Sequence, residues 1–401
     1  MPVRPGFFSL EYFRNKTYFK QIPCQFRTYL NFFSQGAQWR SFRTQVNPVM
    51  MQPKTIRLYS DVIEEVADDM IKKLKSIRNE NNMIPQNLDS EFSLCALEAI
   101  SAVALGERLN CINSEISEDA RVMKLIKGTQ ELFDISDSLD YKPSIWQYYP
   151  TETFKRAMKV YKDIENVTRH YVNIASEKYK TKAHIDKKGE KSVLEKLLEI
   201  NEDVANVMAN DMLIAGVDTT SNTMLGALYL LATNQEKQIK LRKEMAAGNH
   251  RYLKACIRES MRMLPVVGVG FRQTTKEYNL LGFTIPKGVS LLPMGILFCH
   301  HVLCMMDSNY PNAKEYIPER WLVTSDNPLH YGNAHPFAYM PFGFGVRTCI
   351  GRRIAELEVE IFLKRVIENF HVEWNGSPIQ IKSSHVNHVQ GPYNYIFNNL
   401  N

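Results

Sequence analysis

Apolar positions recur with a helical period along most of the chain. From Asp61 to Leu74 the apolar residues Val62, Val66, Met70 and Leu74 stand four apart, with acids early and lysines late. That spacing predicts an amphipathic helix whose charges complement its dipole. Asp89–Leu105 is more apolar and predicts a buried helix that stops at Gly106. Further helices are expected over about Asp119–Phe133, Thr153–Tyr179, Glu202–Thr233, Arg251–Leu264 and Arg352–Phe370. Period-two runs at Val266–Thr274, Tyr278–Ile285 and Val289–Leu292, divided by Gly282 and Pro286–Gly288, predict strands and a turn. The tail from His371 also alternates and predicts a terminal hairpin. The aromatic-rich opening, to about Gly36, is too weakly periodic to assign, and Lys180–Lys191 reads as a solvated loop.

Composition narrows the class. With 401 residues and 44% hydrophobic content the chain can bury a large core. A net charge of +6 favours an acidic partner or a membrane surface, but charges of both signs are interspersed and nucleic acid is not indicated. The seven cysteines, at 24, 95, 111, 256, 299, 304 and 349, contain no Cys-x-x-Cys pair, so neither a disulfide framework nor a structural zinc site is suggested. The most apolar stretches, Val207–Leu231 and Val289–Met306, are interrupted by acids, histidines, proline and glycine and read as core instead of membrane spans.

Three places carry candidate chemistry. Pro341–Gly351 reads Pro-Phe-Gly-Phe-Gly-Val-Arg-Thr-Cys-Ile-Gly. Its glycines let backbone approach a flat ligand, and Cys349 could give a metal one thiolate. Arg347 could pair with an anionic group on the same ligand. The plainer reading is a glycine-rich turn with a buried free cysteine. Within Glu202–Thr233, the run Ala215-Gly216-Val217-Asp218-Thr219-Thr220 sets an acid beside two β-branched alcohols, poor chemistry for a helix interior. A functional acid and alcohol compete there with a hydroxyl that merely bonds back to the preceding turn. Trp39 and Arg43 stand at i, i+4, on one helical face.

Phe342, Gly345, Arg347, Cys349 and Gly351 together resemble, in order and spacing, the haem-binding signature of the cytochrome P-450 monooxygenases. The resemblance extends from about Arg4 to the C-terminus and implies one mainly helical domain, 1–401, with a small β region. It implies haem b as cofactor, Cys349 as axial ligand of its iron, and Trp39, Arg43, Arg272 and Arg347 at its propionates. It further implies that Ala215 and Gly216 open a groove over the haem, that Asp218 relays protons, and that Thr219 holds bound O2. Glu259 and Arg262, with Arg320 from Pro318-Glu319-Arg320-Trp321, are expected to form a buried network. Ile145, Trp146, Tyr148 and Tyr149, with Val266, Val267 and Val269, are expected around the substrate.

The implied reaction inserts one oxygen atom from O2 into an apolar small molecule such as a steroid-like, lipid or xenobiotic compound. Asn47–Lys54 resembles the mitochondrial-type branch, and Pro318–Trp321 and Gly351–Glu358 are most similar to its arthropod or vertebrate members. That implies an acidic ferredoxin as electron donor, met by Lys254, Arg258, Arg352 and Arg353, and a peripheral contact with the mitochondrial inner membrane. Against the family's layout, the chain is expected to lack a targeting segment, a proline-rich hinge and the first strands, and to shorten the Met245–Arg251 connection. An unpaired edge beside Arg272 and Ile285 is therefore expected. An inactive haem-binding remnant and a peroxide isomerase on the same fold are the alternatives.

Overall fold

The computed structural model describes residues 36–84, 86–113, 121–141, 149–182, 191–268, 270–272, 274, 276–287, 296–383 and 386–400. In chain order the helices are α1 (Gly36–Met50), α2 (Pro53–Arg57), α3 (Ser60–Ile77), α4 (Leu88–Ala104), α5 (Arg121–Tyr141), α6 (Glu152–Lys182), α7 (Val193–Ile200), α8 (Glu202–Thr233), α9 (Gln235–Ala246) and α10 (Arg251–Met263). Strands β1 (Gly270–Arg272), β2 (Tyr278–Leu280), β3 (Phe283–Ile285) and β4 (Ile296–Phe298) follow, then α11 (His300–Cys304) and α12 (Arg352–Asn369). The chain closes with β5 (Phe370–Trp374), β6 (Gln380–Lys382), β7 (His388–Gln390) and β8 (Tyr395–Asn399).

The 32-residue α8 is the axis of the molecule. Asn201 caps it, its side-chain oxygen accepting from the Asp203 N–H at 2.7 Å, and Glu202 and Asp203 meet the positive end of the dipole. Beyond that turn it is apolar almost all round, the signature of a helix buried on every side. It is packed by α4, α6, α7, α10, α12 and β5. Gly216 lets α4 approach: a Cβ there would stand 2.9 Å from Ile100 Cγ1. In α3 the buried stripe is Ile63, Val66, Ala67, Met70, Ile71 and Leu74, with Val62 at its margin.

The strands form four antiparallel pairs, β1 with β4, β2 with β3, β5 with β8 and β6 with β7. β1 and β4 pair with each other, and among the described residues no third strand joins them. The expected terminal hairpin is corrected: β8 runs back beside β5, with β6 and β7 pairing between them. The expected strand at Val289–Leu292 and the opening segment lie outside the described residues. The link between α9 and α10 is a closed turn, with Gly248 at φ +76° and the N–H of Asn249 bonded to the Glu244 carbonyl at 2.9 Å.

One buried ion network ties α10 to the long irregular stretch that follows α11. The Glu259 carboxylate accepts from Arg262 Nε and Nη2 at 3.0 and 2.8 Å, from Arg320 Nε at 2.9 Å, from the Trp321 indole at 2.9 Å and from the Ile317 N–H at 3.1 Å. The remaining guanidinium hydrogens reach carbonyls: Arg262 those of Cys304 and Glu315, Arg320 those of Pro311 and Asn312. All three charged side chains are fully buried. Desolvating them is costly, and the arrangement holds only because nearly every donor and lone pair is satisfied. Arg320→Ala should therefore lower stability by about 3–5 kcal/mol by stranding the Glu259 charge. Arg320→Lys should recover only part, since an ammonium lacks the planar fork. Urea unfolding of the variants and the parent measures both.

Candidate active site

The thiol loop lies between two rigid elements. Gly343 and Gly345 adopt φ +71° and +68°, conformations that a side chain would strain, and the Cys349 N–H closes the loop on the Phe342 carbonyl at 2.8 Å. Gly351 is the N-cap of α12, and a Cβ on it would meet Cys349 Sγ at 4.0 Å. Cys349 thus sits at the positive end of a long helix. Cys349 is exposed, although the surrounding protein still desolvates its thiol. Enclosure pushes the thiol up, while the N–H groups of Gly351 and Arg352 and the Arg43 and Arg352 guanidinium groups pull against that rise. The other described cysteines whose shifts are resolved, Cys95, Cys111, Cys256 and Cys304, are buried thiols raised by desolvation, so Cys349 is set apart by access.

Trp39, Arg43 and Arg347 converge beside this loop. Arg347 stacks on the Trp39 ring at 3.8 Å, and Arg43 Nη2 donates to the Thr348 carbonyl at 2.7 Å. Arg43 is buried, its pKa lowered by desolvation against the opposing pull of the Cys349 thiol. Among the described residues its Nε has no hydrogen-bond partner and no carboxylate pairs with it. A buried, unneutralised guanidinium costs free energy unless an anion meets it. Arg272 stands at the end of β1, a strand position from which nothing of its side chain is described.

The middle of α8 opens along one line. Ala215, Gly216, Thr219 and Thr223 are half-buried amid buried neighbours, and 215, 219 and 223 share a face at successive turns. Thr219 donates to the Ala215 carbonyl at 2.6 Å and Thr223 to the Thr219 carbonyl at 2.7 Å. The back-bonded arrangement therefore holds here, leaving the Thr219 oxygen as an acceptor. Gly216 is partly accessible on this face, yet its missing side chain is directed at Ile100, so its glycine serves helix packing at least as directly as a groove.

Two buried acids flank the threonines. Asp218 is 1% exposed and raised to about 7 by burial, with Asp134 and Asp89 adding repulsion. Its Oδ2 has no hydrogen-bond partner among the described residues. Glu358, on α12, is raised to about 8 by burial against a hydrogen bond from Thr220. Sequence reasoning missed Glu358, although the signal was present: it falls on the apolar stripe of Ile354, Ile361 and Phe362. Among the expected substrate neighbours, Tyr149 is exposed, Val266 is half-buried, Val267 is exposed, and Ile145, Trp146, Tyr148 and Val269 lie outside the described residues.

No group of three or more His, Cys, Asp or Glu side chains among the described residues could hold a metal ion. Cys349 thus stands without a cluster of further protein ligands among the described residues, which suits an iron that brings its other ligands with it, as a macrocycle does. The exposed thiol, the close glycine backbone and the unneutralised Arg43 beside Trp39 fit a flat macrocycle carrying acidic groups.

Comparison with known proteins agrees. The family model described as Cytochrome P450 matches residues 9–398. The chain is 40% identical over 400 residues to cytochrome P450 CYP12A2 of Musca domestica, covering 93% of this chain and 73% of the relative. It is 36% identical to probable cytochrome P450 12a5, mitochondrial, of Drosophila melanogaster, covering 94% and 73%. With cytochrome P450 12b1, mitochondrial, of Drosophila acanthoptera it shares 33%, covering 98% and 75%. A crystal structure of a cytochrome P450, CYP102L1, superposes with a TM-score of 0.74 at 18% identity, covering 94% of this chain and 83% of that one, a likeness of fold.

The raised Asp218 gives a pH signature. The folded chain keeps that proton from about 3.8, where the unfolded chain loses it, up to about 7, so folding takes up a proton and this group makes stability fall as pH rises across that window. Asp218→Asn should flatten the fall and stabilise the protein at pH 8 by on the order of 4 kcal/mol, measured by urea unfolding at a series of pH values.

Proposed function

The chain belongs to the cytochrome P450 family, and from that premise we propose that it hydroxylates an apolar small molecule, of steroid-like, lipid or xenobiotic type, with electrons from an acidic ferredoxin. It is a haem-thiolate monooxygenase, and O2 is its second substrate. The observation that carries the reading is the exposed Cys349 thiol at the N-terminus of α12, beside the unneutralised Arg43.

When bound, haem supplies the activation of O2, and the thiolate favours cleavage of the O–O bond. The protein's own residues do the rest. Cys349 would hold the iron, with Phe342, Gly345 and Gly351 shaping the loop. Trp39, Arg43 and Arg347 would meet the propionates, and Arg272 would join them by the family resemblance. Ala215, Gly216 and Thr219 would form the floor of the oxygen side. Thr219 would accept a hydrogen bond there, and Asp218, whose raised pKa lets it carry a proton near neutrality, would deliver protons. Cys349→Ala should abolish the thiolate-type absorption of the reduced, carbon-monoxide-bound protein. Retention of that spectrum would overturn the assignment of Cys349.

Support for the ferredoxin comes from the exposed basic groups Lys254 and Arg258 on α10 and Arg352 and Arg353 at the start of α12. Lys254 pairs with Glu360 at 3.5 Å and Arg352 with Glu356 at 3.0 Å, so part of their charge is answered locally. Among the described residues no carboxylate pairs with Arg258 or Arg353, which makes these two the stronger attractors. The relatives named as mitochondrial support a mitochondrial location, and we extend this to peripheral contact with the inner membrane. Arg258→Glu with Arg353→Glu should slow reduction by a mitochondrial-type ferredoxin several-fold at low salt, with the difference shrinking as ionic strength rises. Stopped-flow reduction across a salt series measures this, and the carbon monoxide spectrum should be unchanged.

A further inference from the structure

Where the last turns of α8 meet β5 there is a cleft that shares no residue with the thiol loop. Its volume is about 480 Å³, enough for a small molecule, and its mouth is wide. Tyr229 and Thr233 come from α8, Gln235 begins α9, and β5 contributes His371, Glu373 and Trp374. Tyr229 follows Thr219 by ten residues on the same helix, ~15 Å along its axis, so the cleft is separate from the half-open face.

The walls are fixed by bonds of their own. The Trp374 indole N–H donates to the Ser377 carbonyl at 2.9 Å, and the ring meets Tyr229 edge to face, with centroids 4.9 Å apart. Gln235 Nε2 donates to the Ala232 and Val372 carbonyls at 2.6 and 2.9 Å, which locks the amide. Glu373 Oε1 accepts from Asn398 Nδ2 at 2.9 Å. A ligand entering such a cleft has few side chains to order.

What the walls leave unsatisfied is of one kind. Gln235 Oε1 is buried and has no hydrogen-bond partner among the described residues. Glu373 Oε2 has none either, because Asn398 and His371, whose Nε2 stands 3.5 Å away, both approach Oε1. In a chain of net charge +6, no lysine or arginine is among the described residues lining the cleft. Both open atoms are acceptors, one of them on a carboxylate, and the negative end of the α8 dipole lies beside them. An anion would be repelled, and a neutral donor would leave the carboxylate unanswered. The rings of Tyr229 and Trp374 suit an apolar body attached to a cation. We propose that this cleft binds a small primary amine, its ammonium met by Glu373 and Gln235 and its apolar body lying against Tyr229 and Trp374. The site stands whether or not the electron donor and substrate class put forward above are correct.

The test is equilibrium dialysis of 2-phenylethylamine against the haem-loaded full chain, reduced and saturated with carbon monoxide so that the amine cannot ligate the iron. About one molecule per chain should bind, and the uncharged 2-phenylethanol should bind about tenfold more weakly or worse. Glu373→Gln keeps the shape of the side chain and should weaken amine binding about tenfold. Tyr229→Leu removes one ring and should weaken it about threefold. Both variants should keep the carbon monoxide spectrum, and if Tyr229→Leu fails to fold, the half-exposed Glu373 position decides alone. A parent chain without saturable amine binding would overturn the proposal. So would equal affinity for the amine and the alcohol, since recognition of charge is its basis. Amine binding kept at parental affinity by Glu373→Gln would place the amine elsewhere and overturn it as well.

Discussion

Everything on the thiol side of the molecule depends on one buried carboxylate. Glu259 is surrounded by Arg262, Arg320, Trp321 and the Ile317 N–H, so five donor bonds from two separate parts of the chain end on its two oxygens. Through Trp321 the constraint passes outward, because that ring packs against Tyr331 and, at 4.6 Å, against Tyr339. Tyr339 in turn donates to the Arg258 carbonyl, one residue before Glu259, and the thiol loop begins at Pro341. A stretch of more than forty residues with little regular structure, from the end of α11 to the start of α12, is held at fixed register to α10. Hydrophobic burial could not do this alone: it is non-directional, whereas each guanidinium fork accepts one geometry.

Much of this was legible in the sequence, and what was not has identifiable causes. The bounds of α8 follow from Asn201 and the two acids after it, and the start of α12 follows from the loop that precedes it. The helix α7 was unassigned although Ser192 and Glu195 form a capping box before an apolar run, a signal hidden by the lysine-rich stretch upstream. The pairing of β5 with β8 left no local trace, because strands separated by an intervening hairpin carry the same alternation whichever partner they choose. Gly216 was read for a groove, and only coordinates show that Ile100 needs the space. Trp321 was visible as a residue but not as a donor to Glu259, since indole direction is set by tertiary packing.

The oxygen-side region is polar in a way that packing alone would not favour. Asp218 and Glu358 approach Thr219 and Thr220 from different helices, both buried and both raised toward neutrality. Each leaves an oxygen without a protein partner among the described residues, Oδ2 of Asp218 and Oε1 of Glu358. A fold selected for stability alone would fill these positions with leucine or methionine, avoiding the desolvation cost. Protonated near pH 7, the two acids keep the region free of fixed negative charge while remaining able to give up a proton, the combination that acid–base work at neutral pH requires.

Departures from local preference are informative here because the rest of the chain is consistent. Caps, dipole-matched charges and apolar stripes agree with the fold in α3, α7 and α8, so a mismatch is not background. Asp218 breaks the rule against an unpartnered acid in a helix interior, Glu358 breaks the apolar stripe of α12, and Leu281 breaks the turn preference of a hairpin. The first two lie beside the half-open face of α8, both raised toward neutrality by burial, which suits the proton delivery proposed above. Leu281 belongs to no core and touches no part of that site among the described residues, so its left-handed conformation is a local departure that proton chemistry does not account for.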